Sequence, residues 1–422
     1  MLQRLGCCLL LALLVAPLSA QTPPLPYRSR SAHVQPITFS NQVVRIMQRR
    51  CQGCHHPGEV APFSLISYQD AAIRAPLIKN AVATRYMPPW KPLPGAHEFV
   101  NERRLTGEEI DLIVRWADAG APEGDPRRLP PPLEFSDQWS LGEPDLVLTI
   151  DRDYLPNQFG EDDYRCFSIP TNLLQDRKIG AVEIRPGNRR IVHHVIVFAD
   201  PTGASASLHQ ANDPQPGYEC FGDPGFAATG FVGGWAPGNR PQVLPDGVAV
   251  SITAGSRVAM QVHYHPDGTL QSDRTKVGIH FTDHPSPKEL LVLPLVNMDF
   301  VIPAGARNYE VVARVPVIAQ AKIYAVLPHM HLLGRTIRLE MIPPGAAAET
   351  LIHIDDWDFE WQDTYFFKEP VRPPLLGQIK LTATYDNSED NPLNPNRPPN
   401  PVGWGPKTTD EMCLAFIGFV LE

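Results

Sequence analysis

No excess of positive charge marks this sequence: 37 Lys and Arg stand against 46 Asp and Glu, for a net charge of −9. No basic patch interleaved with aromatics is found either, so nothing offers the electrostatic footprint of a nucleic-acid binder. Long apolar runs are missing too. Beyond residue 20 no stretch approaches the roughly 20 consecutive apolar residues of a membrane helix, so the mature chain is expected to have no membrane span. Cysteine is scarce, at 7 residues in 422, and only one CxxC occurs, which leaves no second half for a four-cysteine zinc site. What is plentiful is proline, 46 residues, with 30 glycines. That suits many short strands joined by turns better than a helical protein. The length gives room for two or three domains.

Residues 1–20 read as an export signal. Arg4 supplies a charge, Leu9 to Val15 an apolar core and Leu18-Ser19-Ala20 a small-residue cleavage site. The core is short and Pro17 interrupts it; an uncleaved anchor is the alternative. Cys7 and Cys8 precede the main core, the wrong place for lipid attachment. The expectation is an exported protein, periplasmic or secreted. Its compartment allows Cys166, Cys220 and Cys413 to pair, with one left over. Residues 21–36 form a flexible leader.

Helical signals follow. Ser40 can cap a segment whose Val43, Val44 and Met47 share one face. Next comes Cys51-Gln52-Gly53-Cys54-His55. In CxxCH, two thiols add to haem vinyl groups and the histidine ligates the iron, so a covalent haem c is predicted. A chance CxxC or a zinc half-site is the competing reading. Met87, in Arg85-Tyr86-Met87-Pro88-Pro89-Trp90, is the candidate for the opposite axial position, with His56 and His97 as alternatives; Met47 reads as core. Thr106-Gly107-Glu108-Glu109 is a capping box opening a helix with Ile110, Ile113 and Val114 inward, ending near Gly120. With its Met-Pro-Pro-Trp loop and the Leu105-to-Pro122 ending, the stretch 37–125 resembles a small class of cytochrome c domain.

A proline-rich linker, 126–140, separates this from a different pattern. Short apolar runs such as Asp145–Ile150, Ala181–Ile184 and Val195–Phe198 alternate with turns to the C-terminus. That predicts all-β structure, of a length suiting two jelly-roll or sandwich domains, 141–287 and 288–422, divided at the turn His284-Pro285-Ser286-Pro287. Within it, Leu327-Pro328-His329-Met330-His331 puts two imidazoles on one strand face, as a metal pair or as two satisfied strand histidines. His193-His194 and His263-Tyr264-His265 lie upstream.

These histidines belong to a longer series of motifs: Tyr164-Arg165-Cys166, Val192–Val195, Tyr218-Glu219-Cys220, Leu244–Val248, Gln261–Tyr264, Val301–Gly305, His329–Gly334 and Asp410–Cys413. On them, the chain from about 145 to 422 resembles the copper type II, ascorbate-dependent monooxygenases, the family of the peptidylglycine α-hydroxylating and dopamine β-monooxygenases. The resemblance implies two single copper ions, one in each β-domain, facing each other across a cleft. His193, His194 and His263 would hold the electron-transfer copper, with Tyr164 and Gln261 beside it. His329, His331 and Met412 would hold the catalytic copper that activates O2, where a soft thioether favours Cu(I). It implies a Cys166–Cys220 disulfide, and Cys413 is left as a free, buried thiol. Neighbouring His193 and His194 should point to opposite strand faces, so joint ligation needs a bulge or different ring nitrogens. His265 reads as surface, His280 as structural, and His33, His209, His284 and His353 have no partner that can be named. Met330 points away from its flanking histidines.

The implied activity is hydroxylation of a C–H bond by O2, with two electrons drawn from the tethered haem, from ascorbate or from an external donor. At the positions where the peptide-amidating members hold a carboxylate, this chain has Leu327, Leu414 and Phe416, which points to a small apolar or neutral substrate. Two other classes remain open: a non-enzymatic haem and copper carrier or sensor, and a zinc-dependent hydrolase with a haem accessory.

Overall fold

Strand pairing begins where helical periodicity stops, and the chain shows the change within 30 residues. The computed structural model describes residues 36–135, 138–159, 162–208, 214–220, 223–226, 230–285 and 287–422. The expected signal and leader, His33, Ser136 and His209 lie outside the described residues. A π-type turn, Phe39–Val43, runs into α1 (Val44–Arg50). It is followed by α2 (Tyr68–Ile73), α3 (Ala75–Ala83) and α4 (Gly107–Asp118). The capping box at α4 is formed: Glu109 N–H donates to Thr106 Oγ1 at 3.1 Å, and Thr106 N–H to Glu109 Oε2 at 3.0 Å. Val43, Val44 and Met47 are buried with Ile113 and Trp116. Ser40 is not the cap. Thr38 takes the N-cap position, and the buried Ser40 hydroxyl donates to the Glu123 carbonyl at 2.7 Å, because the helical turn starts before the apolar periodicity does.

The segment between α3 and α4 leaves the helices and runs along the C-terminal sheets. Leu93 N–H donates to His353 O at 2.7 Å, Val100 N–H to Phe366 O at 2.8 Å, and Lys368 N–H to Glu98 O at 2.9 Å. Phe99 is 3% exposed and belongs to the C-terminal core, with Trp90 packed on it and Tyr365 and Phe367 as ring neighbours. The expected linker is also fastened rather than loose. Arg45 donates to Arg128 O at 2.9 Å, Gln48 to Pro131 O at 2.8 Å, and Phe135 stacks on His56. Ser140 N–H, at its far end, donates to Glu183 Oε2 at 2.8 Å. Ile37–Glu422 accordingly form one unit.

The remaining chain is strand. In the first region these are β1 (Leu146–Thr149), β2 (Asp163–Pro170), β3 (Arg177–Arg185), β4 (Val192–Asp200), β5 (Tyr218–Glu219), β6 (Gly230–Trp235), β7 (Gln242–Val243), β8 (Val248–Ile252), β9 (Arg257–Tyr264), β10 (Lys276–Phe281) and β11 (Lys288–Glu289). One sheet runs β5-β2-β9-β4-β6 and the other β1-β10-β3-β8-β11, with β7 on β3. β11 pairs with β8, so this region extends past the His284–Pro287 turn. Val195, Val197 and Met260 from one sheet meet Ile179, Val182 and Ile279 from the other in a shared core.

The second region adds β12 (Leu291–Asn297), β13 (Val301–Ile302), β14 (Tyr309–Pro316), β15 (Ala321–His329), β16 (Gly334–Ile342), β17 (Glu349–Ile354), β18 (Tyr365–Val371), β19 (Gln378–Tyr385), β20 (Val402–Gly403) and β21 (Cys413–Leu421). Its sheets are β12-β21-β15-β18 and β14-β19-β16-β17. Tyr324, Phe366 and Val420 reach from the first of these into the neighbouring region's core. A disulfide joins Cys166 to Cys220, and Cys413 is a free, buried thiol whose pKa burial pushes up to about 12. No helix of the described residues is long and apolar enough to cross a membrane.

Because Phe99 fills a core made otherwise of C-terminal strands, Phe99→Ala should lower the stability of the β-structure by about 3–5 kcal/mol. Chemical denaturation followed by the strand signal in circular dichroism checks this; an unchanged midpoint would mean that the segment only rests on the surface.

Candidate metal centres

Strands β4 and β9 carry the first histidine set. Their pairing aligns Val192 with Tyr264 and then His194 with His263, with a register shift between. Two residues of β4, His193 and His194, thus oppose one of β9. This is the count of a β-bulge, and it frees adjacent side chains from strict alternation. His193 Nδ1 lies 3.3 Å from His194 Nδ1, and His263 Nδ1 lies 3.3 Å from the same atom. The three rings offer nitrogens all within 4.8 Å of one another. Nitrogens about 2.0 Å from a shared ion in tetrahedral array stand about 3.3 Å apart, so the spacing is that of a coordination sphere.

Two carboxylates orient these rings. His263 Nε2–H donates to Asp162 Oδ2 at 2.8 Å, and His193 Nε2–H to Glu360 Oε2 at 3.2 Å. A neutral imidazole that donates from Nε2 keeps its lone pair on Nδ1, so both acids aim lone pairs at the point where the Nδ1 atoms meet. Tyr164, opposite His263 on β2, stacks on its ring at 4.1 Å and 8°. Gln261 is buried two residues from His263 and donates to Cys220 Sγ at 3.5 Å, so it braces the disulfide. His265 is exposed, as expected of a surface residue, yet it donates to Asp162 Oδ1 at 2.8 Å and so holds the carboxylate that holds His263.

The second set sits at the end of β15. The rings of His329 and His331 lie 5.1 Å apart and nearly perpendicular. His329 Nδ1 meets Gln362 Oε1 at 2.6 Å, and His331 Nδ1 meets the Asp410 carbonyl at 3.1 Å. Oxygens can only accept from those positions, so each ring's lone pair is on Nε2. Met330 is buried in the core, away from both. Met412 is brought in by Glu411, whose buried carboxyl accepts from the backbone N–H of His331 at 2.9 Å, of Leu333 at 2.6 Å and of Met412 at 3.3 Å. One side chain thus sets the backbone of two of the three candidate ligands. The Tyr385 hydroxyl fixes the Met412 carbonyl at 2.8 Å. Leu414 pairs across the strands with His329, and Phe416 with Leu327, so all three apolar residues lie beside the histidine.

Burial lowers the pKa of His194, His263, His329 and His331. Neighbouring imidazoles add to the effect at His194. Burial, with His331 beside it, takes His329 down to about 3. Neutral imidazoles are ready ligands. Three imidazoles at one centre fit copper, and a thioether joining the two imidazoles of the other set would suit copper better than zinc.

Cys51 and Cys54 are free thiols on the turn after α1. His55 donates from Nδ1 to the Phe63 carbonyl at 3.1 Å, which leaves its lone pair on Nε2, the arrangement an iron ligand needs. Met87 lines a cavity of about 500 Å³ with Val82, Trp90, Leu105 and Ile110, while Cys51, Cys54 and His55 are not in that lining. His56 and His97 are engaged elsewhere, with Glu59 at 3.7 Å and Glu349 at 3.0 Å.

Residues 295–420 match the family model of the copper type II ascorbate-dependent monooxygenase, C-terminal domain. "DBH-like monooxygenase protein 2" of Mus musculus is 26% identical over 284 residues, covering 61% of this chain and 43% of that protein. "DBH-like monooxygenase protein 1" of Homo sapiens is 22% identical over 361 residues, covering 75% and 55%. The chain therefore spans about half the length of these curated relatives. Among solved structures, an IBDV viral particle aligns over 65% of this chain and 69% of its own at 7% identity with a TM-score of 0.19, a likeness that carries no argument.

Asp162→Ala removes the acceptor that orients His263 and should weaken copper binding at the three-histidine centre about 10–100-fold, read by competition titration. Acidification should destabilise the metal-free chain. Below the ordinary imidazole pKa the unfolded chain binds protons that the four buried histidines refuse. Stability should therefore fall from about pH 7 towards 5, by up to ~1.4 kcal/mol per pH unit for each histidine. Glu411 opposes this: burial pushes its folded carboxyl up to about 8, so falling pH favours the folded chain there. Four groups outweigh one, and a melting point that rises on acidification would contradict the assignment.

Proposed function

We propose that this chain is an exported copper-dependent monooxygenase that hydroxylates a C–H bond of a small apolar or neutral substrate with O2. The observation that carries the reading is the convergence of three Nδ1 atoms on one point, with two carboxylates fixing the tautomers behind them. When bound, copper supplies one-electron exchange at the three-histidine centre and reduction of O2 at the thioether centre. The chain's own part is to hold the ligands in place before any metal arrives. His193, His194 and His263 form one set and His329, His331 and Met412 the other. Burial keeps His194, His263, His329 and His331 unprotonated. Glu411 holds the approach of Met412 to His331 fixed.

The apolar group formed by Leu327, Leu414 and Phe416 would seat the substrate. Phe416 is 37% exposed, so part of that surface is open to a ligand. None of the three can pair with a carboxylate, which disfavours glycine-extended peptides. We assign Cys51 and Cys54 to covalent haem c and His55 to its iron, with Met87 as the opposite ligand. A haem held by these residues would supply electrons to copper within the chain, with ascorbate or an external donor as their source. The disulfide fits an oxidising compartment.

Copper-loaded protein should take up O2 only with substrate, in a screen of neutral and aromatic compounds. Met412→Ile should abolish that uptake and leave the Cu(II) resonance of the three-histidine centre in place. Two zinc ions and no copper after purification from a medium holding both metals, or efficient turnover of a glycine-extended peptide, would overturn the reading.

A further inference from the structure

The segment 357–363, between β17 and β18, touches every part of the molecule discussed so far. Trp357 Nε1–H donates to His331 O at 3.1 Å, and Phe359 stands edge-on to the His331 ring. Glu360 accepts from His193, Gln362 meets His329, and Asp363 pairs with Arg103 at 2.9 Å. Arg103 comes from the helical region, just before α4. Its guanidinium also donates to Pro89 O at 3.3 Å, Gly238 O at 3.2 Å and Asn239 Oδ1 at 3.4 Å. Asn239 Nδ2–H donates to the other Asp363 oxygen at 3.1 Å. One planar fork therefore ties the helical region to both β-regions, which a lysine's point charge could not do.

The same junction holds a motif cysteine. Gly238 has φ +81°, and a methyl group there would come within 2.8 Å of Cys54 Sγ and 3.5 Å of Arg103 Nη1. Only glycine combines that backbone with so close an approach. The Arg103 and Asp363 side chains are 22% and 14% exposed, so the pair is largely shielded from solvent and salt.

We propose that Arg103, by gripping Asp363 and the Gly238–Asn239 turn, is the positioning residue that sets the Cys54 edge of the helical region against segment 357–363, and that an electron crosses to the copper centres at this contact. The inference rests on the reading that Cys51 and Cys54 carry haem. The step is one electron: ferrous haem becomes ferric, one cupric ion becomes cuprous, and no bond or proton is exchanged. From Asp363 the backbone reaches Gln362 and its contact with His329 in one residue, and Glu360 with its contact to His193 in three. A single docking contact thus serves either centre. The other polar contact beside Cys54 is Arg189, which pairs with Glu59, and it provides the comparison.

The test is stopped-flow oxidation of reduced haem in the copper-loaded full chain. Arg103→Leu should slow it at least about tenfold, the cost of truncating one partner of a shielded charge pair. Asp363→Asn, which keeps the shape, should slow it in the same direction. Reduction of copper by added ascorbate should keep the parent rate in both variants. In the metal-free chain, amide exchange at 236–239 and 359–364 should quicken in Arg103→Leu. An unchanged haem rate, equal slowing of the haem and ascorbate rates, or equal slowing by Arg189→Leu overturns the inference. A parent chain that purifies without covalent haem overturns instead the reading beneath it.

Discussion

Neighbouring residues of a strand face opposite ways, and the three-histidine cluster exists only because β4 breaks that rule once. The register shift before His194 places two histidines of one strand against His263 of the next. Without it, one of the pair would point into the core that Val195 and Val197 fill. The bulge costs a residue's worth of ladder pairing, which the flanking strands offset: β4 keeps its register with β9 from His194 to Asp200, and with β6 on its other side apart from one shift near Phe198. Everything else at this centre, from the stacked Tyr164 to the two carboxylates, acts on rings whose direction the bulge has already decided.

Both centres then follow one pattern. Four of the five imidazoles, all but His194, use one nitrogen to hold a protein oxygen and keep the other for a ligand, and the oxygens come from other parts of the chain. Asp162 precedes β2; Glu360 and Gln362 sit between β17 and β18; Asp410 precedes β21. Such partners remove the choice of tautomer and ring angle before binding, so less freedom is lost when an ion arrives. Glu411 is the sharpest case. Its carboxyl is buried and satisfied by three backbone N–H groups, and removing it would leave all three without an acceptor.

Residue patterns in the sequence reveal the ligands more readily than what orients them. Histidine is rare enough that His193-His194, His263 and His329-Met330-His331 stand out, and alternation alone turns Met330 inward, as observed. The capping box at Thr106 was equally legible, since it depends on residues three apart. Asp162, Glu360, Gln362 and Arg103 carried no such signal: a polar side chain among turn residues looks solvated until a segment 33 to 260 positions away is folded against it. The Ser40 cap failed for a related reason. Its hydroxyl donates to the Glu123 carbonyl, 83 residues on, instead of accepting from the N–H groups of the helix start beside it. Local pattern cannot weigh a local bond against a distant one. The proline-rich stretch after α4 likewise reads as loose from composition, though backbone carbonyls there are held by Arg45 and Gln48.

The seam between the 90–100 segment and the C-terminal sheet also bears on how the chain must be assembled. Glu98 and Lys368 meet across 270 positions, and the aromatic cluster around Phe99 and Phe367 closes over a similar span. A chain emerging from its N-terminus makes the helices first, yet Trp90 and Phe99 have nowhere to bury until β17 and β18 exist. Contacts so far apart close slowly, because most of the loop entropy is lost before any contact forms. During that interval two large aromatic residues stay exposed. The segment 90–100 thus reaches its final place only after β17 and β18 have been made.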